Sequence, residues 1–240
     1  MGRALVFVLV QAPLALVLTG VYAAAACVAA LVDRSGRTTR AIGGAWSRLL
    51  LRLLGVEVRV SGLEHVPPGP AVYAANHASV LDILVLFGHL PVDFRIVYKQ
   101  SLSLVPLLGW AIRLGGHVPI DRRNAFRARR SLEMAAWRIR GGTSVVVFPE
   151  GTRSSDGVVR HFKRGSFGLA IHAGVPVVPV SLVGVKAVVP SGLTSLRPGT
   201  VGVAMHPPVP VAGRSPAEAE ALAEEVRRIV ASASHPERPE

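Results

Sequence analysis

The stretch Ala71-Val72-Tyr73-Ala74-Ala75-Asn76-His77-Ala78-Ser79-Val80-Leu81-Asp82 passes from an unbroken apolar run, through a short turn, into a second apolar segment that continues to Leu90. The first run reads as a short buried strand and Ser79 to Leu90 as a helix. Strand, turn and helix in succession are the unit from which α/β proteins are built. The turn carries chemistry as well. His77 leaves the strand where it can reach a cleft, and Asp82 follows five positions later. On a continuous helix such positions diverge by roughly 140°, but a turn between them brings carboxylate to imidazole. A histidine oriented by a carboxylate can take a proton from a hydroxyl group. His77 is therefore a candidate general base, with Asp82 as its orienting partner. Pairs at this spacing also arise in purely structural roles, and a second cluster is what gives this one weight. Val145-Val146-Val147 is another apolar run, followed by Phe148-Pro149-Glu150-Gly151-Thr152-Arg153-Ser154.

Outward from these two exits the same alternation continues. Val56, Val58 and Val60 alternate as a strand after Gly55. Phe94 to Tyr98, Gly115 to Ile120, Thr143 to Phe148, Val175 to Leu182 and Thr200 to Met205 are further extended segments. Leu102 to Leu114 is largely apolar and helical, and Gly165 to His172 is a helix. Asn124 caps a helix that runs to Arg140 and stops at Gly141-Gly142. Its many arginines read as a solvated or lipid-facing side. Ser215-Pro216-Ala217-Glu218 is a capping box with proline at the first helical position, opening a last helix to about Ala231. The expected fold class is α/β, with a mixed, largely parallel sheet flanked by helices.

Composition narrows the partners. Half the residues are hydrophobic while only 5% are aromatic, so the apolar content is valine, leucine and alanine. The formal net charge is +12, which suits nucleic acid, an anionic membrane or an anionic substrate. No nucleic-acid motif is present, and the basic residues do not interleave with a stacking platform, which disfavours nucleic acid. An anionic bilayer agrees with the apolar excess, each basic group near its surface contributing about 1 kcal/mol. Cys27 is the only cysteine, so neither an internal disulfide nor a cysteine-rich metal site is expected. His117, His161, His172 and His206 lack metal-ligand spacing, and no metal is implied. Lys99, Lys163 and Lys186 are the only lysines among 27 lysines and arginines. A lysine retained on such a background hints at a need for an ammonium group.

From Ala4 to Val32 there is no charged residue, long enough to span a hydrocarbon core of about 30 Å. The leading expectation is a retained membrane-associated helix or helical hairpin, with Pro13 and Gly20 as candidate bends. A cleaved signal peptide, a lipidated Cys27 and a buried core helix are the alternatives. Arg34, Arg37 and Arg40 after the segment outweigh Arg3 before it, which places the following domain on the cytoplasmic face of a cell membrane. From Thr39 to Leu54, Ile42, Trp46, Leu49, Leu50 and Leu53 recur at helical spacing with Arg48 and Arg52 beside them. Such a helix either packs on the domain or lies in the membrane interface, with Trp46 at headgroup depth and the arginines snorkelling.

The two exits, His77 with Asp82 and Phe148 to Arg153, resemble the Asn-His-x4-Asp and Phe-Pro-Glu-Gly-Thr-Arg blocks of the lysophospholipid acyltransferase family. Gly116-His117-Val118-Pro119-Ile120-Asp121-Arg122 looks like its middle block, and Val175-Pro176-Val177-Val178-Pro179-Val180 like its proline-bearing fourth. Lys99 with Pro106 to Trp110, and Phe162-Lys163-Arg164-Gly165, also fit. The match runs from about Gly62 to Leu182 in the right order and spacing. Pro119 departs from the aromatic or large aliphatic residue usual there; it removes a backbone donor, so its strand should be short or at an edge.

The resemblance implies transfer of a fatty acyl group from acyl-CoA or acyl-ACP, as co-substrate, to the 2-hydroxyl of 1-acylglycerol 3-phosphate (lysophosphatidic acid), with no cofactor. Other lyso-lipid acceptors, or a silent lipid-binding protein on a membrane, are the alternatives. It also implies an acceptor-phosphate region of Glu150, Gly151 and Arg153, with Arg122 assisting. Asn76, Lys99 and Lys163 are further candidates for substrate contact. For Glu150, an ion pair holding Arg153 is an equal alternative. Direct attack by the acceptor hydroxyl makes a serine nucleophile unnecessary, and neither Ser79 nor Ser154 sits in a Gly-x-Ser-x-Gly elbow. Leu102 to Leu114 is a candidate lining for the acyl chain. The implied division is an anchor and interfacial helix over residues 1–54, a glycerolipid acyltransferase domain over 55–233 and a disordered tail over 234–240.

Overall fold

A computed structural model describes residues 5–121 and 124–234. Seven strands form one sheet among them: β1 (Val56–Ser61), β2 (Val72–Ala75), β3 (Phe94–Lys99), β4 (Val118–Ile120), β5 (Ser144–Val147), β6 (Val177–Val183) and β7 (Gly199–Met205). The order across the sheet is β1-β7-β6-β2-β5-β3-β4. Every pairing is parallel except β6 with β7. The expected α/β class with a mixed, largely parallel sheet is the observed one.

The residue pattern explains the order. β2 and β5 are buried at every position, as parallel strands covered on both faces must be, and their sequences are the unbroken apolar runs. β1 and β7, toward the other end, alternate more covered with less covered positions. β4 is three residues long and ends the sheet, so the missing N–H of Pro119 falls where the sequence placed it, in a short edge strand.

Eight helices accompany the strands among the described residues: α1 (Ala12–Val32), α2 (Arg37–Leu53), α3 (Leu81–His89), α4 (Leu108–Leu114), α5 (Ala125–Arg140), α6 (Gly165–Ala173), α7 (Val185–Val188) and α8 (Ala219–Ser234). Because strand side chains alternate in direction, Tyr73, Phe94, Val146 and Val203 pack with Leu51 and Val85 of α2 and α3 on one face. Val72, Val145 and Val177 pack with Ala136, Phe167 and Leu222 of α5, α6 and α8 on the other. The side chain of Asn124 accepts from the Arg127 N–H and caps α5, and the Ser215–Glu218 capping box opens the turn into α8. Leu102 to Leu114 is not one helix. A 3-10 turn over Gln100–Leu104 and the helix α4 are separated around Pro106.

At the N-terminus a π-helical turn over Phe7–Gln11 runs straight into α1, and Phe7–Val32 is the one helix among the described residues long and apolar enough to cross a membrane. Neither candidate bend splits the segment into a hairpin: Gly20 lies within the helix, and Pro13 directly follows the π-turn, in which the Ala12 N–H donates to Phe7 O. A buried core helix is also excluded, since Leu9, Leu16, Val17, Val21 and Leu31 are exposed. The inner side of α1 packs on α2 and α4. Tyr22 stacks on Trp46 with ring centroids 4.5 Å apart, and Ala23 and Ala26 close on Ala111. The helix α2 is packed on the domain. Arg48 donates to Gly88 O, and Arg40 donates to Leu90 O while lying over the Phe94 ring. On its other side Arg48, Leu49 and Arg52 remain exposed. The expected tail lies almost wholly outside the described residues.

Candidate active site

Parallel strands discharge their connections at the same edge of the sheet. β2, β5 and β3 are parallel neighbours, so the residues after Ala75, after Val147 and at Lys99 arrive together. That shared edge carries a cleft of about 530 Å³, lined by His77, Lys99, Tyr98, Phe148, Gly151 and Arg153 among others.

His77 is fixed from several sides. Its Nδ1 lies 2.7 Å from Asp82 Oδ2, and Asp82, in the first turn of α3, is fully buried. The same carboxylate oxygen accepts from the backbone N–H groups of Ala78 at 2.7 Å and Ser79 at 2.8 Å. One aspartate thus closes the turn and orients the ring, near a helix N-terminus that favours negative charge. Asp82 Oδ1 is buried without a hydrogen-bond partner among the described residues. The imidazole stacks on Phe148 at 4.0 Å between centroids. The second loop also grips the His77 main chain: the N–H donates to Glu150 Oε1 at 2.7 Å, and the C=O accepts from the Ser154 N–H at 2.8 Å.

The geometry sorts the residues that the sequence singled out. His77, Lys99, Gly151 and Arg153 face one cleft, with Asp82 behind. Glu150 does not. It is buried, and its second oxygen accepts from the Arg160 N–H at 3.2 Å, so both oxygens are taken by main-chain donors of two loops. Burial pushes its carboxyl above the usual carboxylate value, against the pull of those donors. A buried anion bonded in this way is a poor phosphate contact and makes no ion pair with Arg153; it braces His77. Asn76 is likewise a latch, donating to Leu182 O at 3.0 Å and accepting from the Leu182 N–H at 2.7 Å, which ties β2 to β6. Lys163 lines a smaller, apolar cavity of about 270 Å³ that shares Phe148 and Gly151 with the cleft. Gly151 has φ +75°, which favours glycine, and the Lys163 ammonium lies against it, 2.8 Å from where a Cβ would stand. Arg122 lies outside the described residues. Of the acyl-lining candidates, Leu102 reaches the cleft, whereas Leu107, Trp110 and Leu114 are exposed elsewhere. Sequence reasoning gave Phe148 no role and weighed Ser154 only as a nucleophile, which it set aside. Their position one strand exit away from His77, on a neighbouring parallel strand, was the available signal.

A family model described as acyltransferase matches residues 57–183, more than half of the chain. The chain belongs to the acyltransferase family. Its fold matches the crystal structure of a 1-acyl-sn-glycerophosphate (LPA) acyltransferase, PlsC, from Thermotoga maritima, with TM-score 0.81 and 30% identity over 97% of this chain and 95% of that one. A 1-acyl-sn-glycerol-3-phosphate acyltransferase of Chlamydomonas reinhardtii is 41% identical over 184 residues, covering 75% of this chain and 54% of the relative. The alpha enzyme of the same name from Homo sapiens is 36% identical over 177 residues, covering 73% and 62%. The chain spans about half the length of the Chlamydomonas, Arabidopsis and Brassica relatives, at 54%, 44% and 49%. The acyltransferase match takes in both strand exits and the cleft between them.

Proposed function

We propose that this acyltransferase transfers a fatty acyl group from an acyl thioester, acyl-CoA or acyl-ACP, to the 2-hydroxyl of 1-acylglycerol 3-phosphate, giving phosphatidic acid. The observation that carries the reading is the 2.7 Å contact between His77 Nδ1 and a buried aspartate at the wall of a cleft that also holds Arg153 and Lys99. With Nδ1–H donated to Asp82, Nε2 is the basic nitrogen. It takes the proton of the acceptor hydroxyl as the oxygen attacks the thioester carbonyl. The tetrahedral oxyanion collapses, the C–S bond breaks, and the imidazolium returns its proton to the departing thiolate. Asp82 stabilises the transient imidazolium by its charge. Arg153 supplies a bidentate partner for the acceptor phosphate.

The exposed face of α1 supports membrane lipid as the surrounding in which the lyso-lipid is met. Arg34 and Arg37, after α1, support a domain on the cytoplasmic face of a cell membrane.

Purified protein given lysophosphatidic acid with labelled acyl-CoA, and separately with acyl-ACP, should form labelled phosphatidic acid. A panel of lyso-acceptors in the same assay should rank lysophosphatidic acid first by kcat/KM. Arg153→Ala should lower that kcat/KM roughly tenfold to 150-fold, the loss of one charge-assisted contact. The same substitution should cost an acceptor without phosphate much less. Comparable losses on both would assign Arg153 to the fold, and a lysophospholipid of another headgroup ranking first would replace the acceptor.

A further inference from the structure

Beside the cleft lies a second cavity of about 490 Å³, within the roughly 300–1,000 Å³ usual for small-molecule sites. Val80, Thr152 and Arg153 line both, so the two share a wall that includes Arg153. The second cavity adds Lys186 and the hydroxyl residues Ser79, Ser154 and Ser155, and no carboxylate lines it. Two cations among hydroxyl residues, with no competing anion, suit a phosphate monoester.

Lys186 is also held in place. Gly157 has φ +82°, and a Cβ there would lie 2.9 Å from Lys186 Cγ, so the loop rests directly on the lysine stem. The ammonium donates to Pro190 O at 3.1 Å, which leaves two of its three N–H groups for a ligand. An ammonium anchored by its stem and by one carbonyl loses little further freedom when it meets an anion. This residue lies past the end of the family match at residue 183.

The geometry points to Lys186 as a headgroup-binding residue, pairing with Arg153 across this cavity to hold the acceptor's phosphate. The inference rests on the acceptor reading given above. Few bonds separate the glycerol 2-hydroxyl from the phosphorus, so a phosphate here keeps that hydroxyl near His77. The acyl donor is then left the Lys99 end of the cleft.

The test is steady-state kinetics of the full chain in detergent, varying acceptor and donor separately. Lys186→Met keeps an unbranched stem beneath Gly157 and removes the charge. It should raise KM for lysophosphatidic acid roughly tenfold, as loss of one charge-assisted contact does. KM for the acyl donor should stay within about twofold, and Lys186→Arg should recover most of the acceptor affinity. With a neutral monoacylglycerol acceptor the Met variant should match the wild type. Turnover of lysophosphatidic acid with an unchanged acceptor KM in Lys186→Met overturns this assignment alone. So does a rise confined to the donor KM. Lack of any turnover of lysophosphatidic acid by the wild type overturns the acceptor reading and this inference with it. If the Met variant does not fold, Lys186→Gln takes its place with the same expected values and the same overturning results.

Discussion

His77 is held at its N–H by Glu150, at its C=O by Ser154, at Nδ1 by Asp82 and across its ring by Phe148. Backbone and ring are thus fixed by different residues, and substitutions should separate the two. General-base catalysis contributes about 10²–10⁴-fold, so His77→Ala should lower kcat on that scale with every acceptor while the melting temperature changes little. Asp82→Asn should fall between that variant and the wild type, since the ring remains but loses its orienting charge. It should also cost some stability, because Asp82 holds the Ala78 and Ser79 N–H groups as well. With His77 gone, changing Asp82 should reduce kcat little further, as expected of two groups acting as one unit. Independent, multiplicative losses in kcat would show that Asp82 is not the partner of His77. Near-normal kcat in His77→Ala would remove the mechanism altogether.

At the scale of elements, the turn into β4 holds a titratable group outside the cleft lining. His117 is buried, and its Nδ1 accepts from the Ile96 N–H at 3.1 Å. Burial first, then Arg95, Arg40 and Arg138 around it, pull its pKa down from 6.5 to about 3. Between those values the unfolded chain carries a proton that the folded chain refuses. Stability therefore rises with pH across that window and is lost as pH falls through it, by up to about 1.4 kcal/mol per unit. From pH 7 to pH 5 this one group should cost about 2 kcal/mol. His117→Asn keeps an acceptor for Ile96 and should flatten that part of the profile, read as the difference between variant and wild-type unfolding midpoints. Identical slopes would mean that the imidazole is not kept neutral. The same strand shows what was legible beforehand. Parallel strands buried on both faces announce themselves as apolar runs, so β2, β5 and β6 could be located, and Pro119 placed β4 at an edge. The antiparallel pairing of β6 with β7 could not be read, because strand order arises from contacts between distant segments. Nor could the burial of Arg95, whose two terminal nitrogens donate to Asp93, Phe94 O and Ser35 O, two of them neighbours and one 60 positions away. In the site, His77 and Asp82 were legible as a local pair across a turn. The roles of Asn76 and Glu150 were not, since their partners, Leu182 and His77, are 106 and 73 positions away.

At the scale of the whole molecule, α1 belongs to two environments at once. Its outer side carries exposed leucines and valines, while Tyr22, Ala23 and Ala26 are buried against Trp46 and Ala111. Gln11 Nε2 also donates to Leu53 O at 2.9 Å, fastening the start of the helix to the end of α2. Removing the helix should therefore do two things. A protein starting at Arg34 should bind vesicles more weakly, and it should also be less stable, because Trp46, Ile42 and Leu108 lose their cover. The Tyr22–Trp46 stack alone accounts for about 0.5–1.5 kcal/mol beyond its buried area. At roughly 2–4 °C per kcal/mol for a chain of this size, the melting temperature in detergent should drop by several degrees once the lost area is included. Tyr22→Ala in the full chain should reproduce part of that drop without releasing the protein from membranes. High salt alone should not strip the full chain, since apolar burial is insensitive to screening. Salt extraction would make the attachment electrostatic. A melting temperature unchanged by truncation would make α1 an anchor tethered to the domain rather than a packed part of it.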